Sequence, residues 1–137
     1  MADRPLWQLG AVELASAIRS GDVRVTDAVA SALERMDEVN PAVNAVTVSL
    51  ADRAMAQAEA AQRETSSGRA LGPLHGVPVT IKENIDQEGL ANTNGLPGLA
   101  DNIAPADSPV ARNLREAGAI VLGRTNTPEF SYRWFTD

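Results

Sequence analysis

One lysine stands among eleven arginines in this chain. It is Lys82, in the stretch "GVPVTIKENID", Gly76 to Asp86. The two cations differ in their chemistry. A guanidinium stays protonated in a protein, whereas a lysine amine can lose its proton and act as a base. A chain that uses arginine for every other positive side chain and keeps lysine here points to a position needing a neutral amine. On spacing alone the same residue also reads as a solvated cation at a strand end, close to Glu83, Asp86 and Glu88. A free lysine titrates near ~10.4, so a basic role requires burial and neighbouring donors that favour the neutral form. It also requires the carboxylates of Glu83 and Asp86 to point away from the amine.

Other groupings carry less chemistry. The one histidine, His75, precedes Gly76 in a turn and no G-x-S-x-G elbow is present, so it reads as a loop histidine packed before a strand. "TSSGR", Thr65 to Arg69, offers two serines but reads as a polar helix exit with Gly68 as its stop. Glu83, Asp86 and Glu88 lack the spacing of a calcium loop and read as a solvated acidic loop. With no cysteine in the chain, disulfides, thiolate catalysis and Cys-ligated metal sites are excluded. No metal or cofactor is expected. A formal net charge of −6 opposes nucleic acid or an anionic membrane as partner. No apolar run approaches the ~18 residues of a membrane span, and "MADRPLWQLG" has no hydrophobic signal core. A cytoplasmic location is expected.

The elements that must position Lys82 are legible from periodicity and punctuation. Gly10 caps a helix in which Leu14 and Ile18 share a face, and Gly21 stops it. Thr26 is expected to cap a second helix carrying Val29, Leu33 and Met36, ended by Pro41. Val43–Ser49 reads as a short strand, and Ser49 as the cap of an alanine-rich third helix with Asp52 in its first turn. After Gly72 the character changes. "VPVTI" reads as a short buried strand ending at Lys82. A long irregular stretch follows, of a length that is often functional. Ser108 and Pro109 then open a helix expected to bury Val110, Leu114 and Ala117. "AIVLG", Ala119 to Gly123, reads as a second buried strand. Strand, loop, helix, strand predicts a βαβ unit with parallel strands, which sets Lys82 at the carboxyl end of a strand, where open α/β sheets place ligands. Thr127, Pro128 and Glu129 look like the cap and first turn of a further helix, with Trp134 and Phe135 uncovered beyond it.

Three stretches in order resemble the amidase signature family. "GPLHGVPVTIKENID" is similar to its lysine motif, "DSPVARNLREAGAIVLGRTNTPEF" to the segment that follows it, and "ELASAIRSGDVRVTDAVASALERMDEVNPAVNAV" to its leading helices. The likeness runs from about Leu9 to Asp137. It implies an α/β fold: N-terminal helices, then the first strands and helices of a mixed β-sheet, here incomplete. A single domain is expected, with a helical segment over about 1–70 and the lysine strand and βαβ unit over about 71–137. Members hydrolyse linear amides or serve as the amidase subunit of tRNA-dependent amidotransferases. The family uses a Ser–cis-Ser–Lys triad without a cofactor, and Lys82 maps onto its lysine. The neutral amine takes a proton from the bridging serine, which takes one from the nucleophile, while backbone N–H groups hold the oxyanion. By the same resemblance Asn84, Asn126 and Glu129 are expected to support the backbone near the site. From the residues alone, Asn126 and Glu129 read equally as a helix cap and a first-turn carboxylate.

Both family serines lie in a Gly/Ser-rich segment downstream of the lysine, beyond these 137 residues. The chain is therefore expected to be the front part of an amidohydrolase of small amides, inactive alone. The alternatives are an amidotransferase subunit or, in another class, a non-catalytic binding or assembly module. An open sheet edge would favour self-association.

Overall fold

The computed structural model describes residues 4–67 and 69–136. Gly68, the expected helix stop, lies outside the described residues. After a 3-10 turn at Leu6–Gln8 come α1 (Ala11–Ser20), α2 (Val25–Val43), β1 (Val46–Ser49) and α3 (Ala51–Thr65). Then follow β2 (Pro78–Lys82), α4 (Pro109–Glu116) and β3 (Ile120–Thr125). The sheet order is β1-β3-β2, with β3 antiparallel to β1 and parallel to β2. The expected βαβ unit is thus β2–α4–β3. It shares its sheet with a strand from the helical half of the chain.

β3 is central and its whole apolar run is buried. Alternation sends its side chains to two cores. Ile120 and Leu122 join Leu14, Ile18, Val25, Val29 and Leu33 beneath α1–α3. Val121 joins Ile81 and Ala111 beneath α4. Each fully buried aliphatic side chain contributes roughly 1.5–3 kcal/mol. Ala54 and Ala58 of α3 have no exposed surface, so small side chains set how closely α3 packs on the sheet and α2. The start of β2 is tied to the start of β3: Leu74 N–H donates to Ala117 O and Gly76 N–H to Gly118 O, both at 2.9 Å. Gly118 sits at φ +90, and a Cβ there would lie 2.8 Å from His75 Cα.

Several boundaries differ from the sequence reading. Thr26 does not cap α2; the cap position is Arg24. The free Val25 N–H instead donates to Gln62 Oε1 of α3 at 2.7 Å. Pro41 does not end α2 but sits inside its last turn, and Asn44 at φ +47 stops the helix. That shortens the first strand to Val46–Ser49. Leu50, not Ser49, holds the α3 cap position, although Ser49 Oγ accepts from Ala51 N at 3.4 Å. Ser108 does cap α4, accepting from Ala111 N at 3.2 Å. The buried face of α4 centres on Ala111, and Val110 is exposed. β2 is less buried than expected, with Thr80 exposed. Glu129 starts only a 3-10 turn, Glu129–Ser131. Beyond it Trp134 and Phe135 are exposed. No helix among the described residues is long and apolar enough to cross a membrane.

Candidate active site

Lys82 is the last residue of β2, paired with Thr125 of β3, and is half-buried. The strand ladder continues one step further, Glu83 N–H donating to Thr125 O at 2.9 Å. The chain then turns, Ile85 N–H donating to Lys82 O at 3.0 Å.

The carboxylates beside Lys82 are occupied elsewhere. Glu83 is buried, contrary to its reading as part of a solvated acidic loop. Its Oε1 accepts from Thr93 N at 2.5 Å and lies 3.8 Å from the Arg124 guanidinium. Arg124, also buried, donates to the backbone carbonyls of Ala91 and Glu83. Burial pulls the Arg124 guanidinium below its ordinary range, while Glu83 and then Asp86 push it back up. Asp86 is exposed, and its Oδ1 accepts from Asn92 Nδ2 at 2.6 Å. Among the described residues no ion pair involves Lys82. The required geometry, carboxylates turned from the amine, is therefore present.

These contacts also order the long loop after β2. Asn92 N–H donates to Asn102 O at 2.8 Å, and Asn102 Nδ2 to Asn92 O at 2.9 Å. At the loop's far end Arg115 pairs with Asp107 at 2.9 Å. A cavity of about 320 Å3 lies beside this loop, bounded in part by Glu83, Thr93, Asn126 and Thr127. Its walls mix hydroxyl and amide groups with the apolar surface of Leu96 and Pro97.

The expected supporting residues take separate places. Asn84 Nδ2 donates at 3.1 Å to Ser131 Oγ, which also accepts from Lys82 Nζ at 3.1 Å. Lys82 and Asn84 are thus brought together through a serine that sequence reasoning missed. Asn126 serves the far side of β3: its N–H donates to Ala45 O at 2.8 Å and its Nδ2 to Asn44 O at 3.4 Å. Glu129 is exposed, and its carbonyl accepts from Tyr132 N at 3.0 Å. Arg124 and Asn92 were missed as well. A charged residue closing the apolar run "AIVLGR" was the available signal for Arg124. His75 is a packing residue as read, its buried Nε2 lying 3.0 Å from Ala61 O and 3.1 Å from Thr65 Oγ1. Among the described residues no three His, Cys, Asp or Glu cluster to hold a metal ion.

Fold and site together define an α/β protein that presents a lysine at the carboxyl end of a parallel strand, beside a buried carboxylate–guanidinium pair. The amidase family model matches residues 27–137, and the chain belongs to the amidase signature family. It is 56% identical over 133 residues to an indoleacetamide hydrolase of Bradyrhizobium diazoefficiens, covering 97% of this chain and 25% of that protein. It is 36% identical over 126 residues to a glutamyl-tRNA(Gln) amidotransferase subunit of Moorella thermoacetica, covering 92% of this chain and 26% of that protein. Among solved structures, a bacterial aryl acylamidase of the amidase signature family superposes with a TM-score of 0.89 at 27% identity, covering 98% of this chain and 28% of that one. The chain spans about a quarter of the length of the curated relatives it matches.

Proposed function

We propose that this chain supplies the base of an amidohydrolase, with Lys82 as the neutral amine of a Ser–cis-Ser–Lys triad. One observation carries the proposal: Lys82 ends a parallel strand, and both neighbouring carboxylates are committed to other donors. In this scheme the amine takes the proton of a bridging serine as that serine takes the proton of the nucleophile. The nucleophile's oxygen bonds to the amide carbon; the C–N bond then breaks as the bridging serine gives one proton to the departing nitrogen and regains one from the lysine. Water then cleaves the acyl–serine bond to release the acid. In this scheme Asn84 supports the base through Ser131, while Asn126 and Glu129 hold backbone further off, on the far side of β3 and in the turn after it. The substrate is a small carboxylic amide. The higher identity to an amide hydrolase than to an amidotransferase subunit favours hydrolysis over tRNA-dependent transfer. Self-association would run through the open edges of the three-stranded sheet, β1 and β2.

Both serines of the scheme lie outside these 137 residues, so the chain alone is expected to turn over no amide. Joined in one polypeptide to a Gly/Ser-rich segment of the family, it is expected to hydrolyse aryl and primary amides. There Lys82→Arg, which keeps the charge but cannot act as base, should lower kcat at least about a hundredfold, the lower range for lost acid–base catalysis. Release of ammonia or amine is the readout. Full activity in Lys82→Arg would sink the assignment, and turnover by the 137 residues alone that disappears in Lys82→Ala would overturn their expected inactivity.

A further inference from the structure

The hydroxyl of Ser131 has three polar side-chain neighbours. Its Oγ is 3.1 Å from Lys82 Nζ, 3.1 Å from Asn84 Nδ2 and 3.3 Å from Thr127 Oγ1. A hydroxyl has one hydrogen to give and two lone pairs to receive with. The Asn84 amide nitrogen only donates, so it occupies one lone pair. Thr127 Oγ1 also lies 3.3 Å from Pro128 O, and either hydroxyl of the Thr127–Ser131 pair can donate to the other. Where Ser131 donates to Thr127, its remaining lone pair faces Lys82 and receives an N–H from the amine. In that arrangement one N–H of the neutral amine is held on Ser131, and its lone pair is turned away from it.

The turn that carries Ser131 is built at a conformational cost. Phe130 and Ser131 both adopt left-handed backbone, at φ +46 and φ +59. Such positions cost roughly 1–3 kcal/mol each in residues other than glycine and persist where surrounding contacts hold them. Here Phe130 N–H donates to Asn94 O and Ser131 N–H to Pro128 O, both at 2.8 Å. Thr127, which shares a hydrogen bond with Ser131, is buried and anchors the chain of hydrogen bonds. A residue remote in sequence is thus held in a strained turn with its oxygen on the one lysine amine.

We propose that Ser131 is a positioning residue for Lys82: oriented by Asn84 and Thr127, it fixes one N–H of the amine and thereby aims the amine's lone pair. The proposal rests on the reading of Lys82 as a base, but its test does not need turnover. With lysine labelled in carbon-13, the 137-residue chain yields one lysine side-chain spin system. Two variants remove the hydroxyl: Ser131→Ala, and Ser131→Gly, which suits the left-handed backbone and keeps the turn. Amide spectra check the fold of each. The two ε protons, inequivalent while the amine is held on Ser131, should converge in shift. Convergence in a folded Ser131→Gly chain supports the positioning role. Unchanged inequivalence there would overturn it. Should the longer enzyme prove inactive while this convergence appears, the assignment of Lys82 as base fails and the placement of its amine by Ser131 stands.

Discussion

Arg124 offers the sharpest test of how the site is held. Its side chain is 2% exposed and that of its partner Glu83 8%, with 3.8 Å between them. Arg124→Met keeps the volume and removes the guanidinium. The carbonyls of Ala91 and Glu83 then lose a donor, and the Glu83 carboxylate loses its ion-pair partner. Two unit charges 3.8 Å apart attract by about 4 kcal/mol at an effective dielectric constant of 20. Removing one partner of a buried pair typically costs about 3–5 kcal/mol. The two figures agree, and either is a large part of the roughly 5–15 kcal/mol that holds a domain together. Urea unfolding followed by circular dichroism at pH 7 should show a loss of this size. Glu83→Gln in the Arg124→Met background removes the stranded charge and should restore at least about 1.5 kcal/mol, a coupling typical of contacting residues. A loss under about 1 kcal/mol, or purely additive effects in the double variant, would refute a buried ion pair as the clamp on the loop after Lys82.

Two further outcomes follow from the fold. Gln62→Ala removes the acceptor of the Val25 N–H and should destabilise the chain by about 1 kcal/mol, with the loss confined to the start of α2 in amide hydrogen exchange. Gly118→Ala places a Cβ 2.8 Å from His75 Cα at φ +90. It should lower the melting temperature by more than the roughly 4–8 °C that about 1 kcal/mol represents in a small domain, whereas an unchanged melt would show that the turn before β2 can move away.

Helices and parallel strands were legible because their signals are local. Leu14 and Ile18, or Val29, Leu33 and Met36, repeat at helical spacing and all are buried. The apolar run of β3 could be read as a covered strand for the same reason. Errors fell where a distant residue performs a local task. The N-terminus of α2 is satisfied by Gln62, 37 residues away, so a search for a nearby cap finds Thr26 instead. Pro41 lies in the last turn of α2, where few helical bonds remain to be lost. The turn at Glu129–Ser131 reads as a helix start because Thr-Pro-Glu is good capping chemistry. Hydrogen bonds to Asn94 and Pro128 and two left-handed residues hold it to a single turn.

The site was half legible for the same reason. The composition marks Lys82, but adjacency in the chain misrepresents its neighbours. Glu83 follows Lys82 along an extended strand, and alternation turns adjacent side chains to opposite faces. The carboxylate therefore meets not the lysine beside it but Arg124, 41 residues away and opposite Ile81 in the parallel ladder. This gives the one-lysine pattern a structural counterpart. The buried pair requires a cation that stays charged and whose planar fork can reach two carbonyls as well as a carboxylate, which arginine provides. Under the proposed role of Lys82, the strand end requires an amine that can shed a proton. Exchanging the two cations would leave an ammonium too short-armed for its carbonyls at one position and a permanent charge at the other, so each position selects its own cation from its own chemistry.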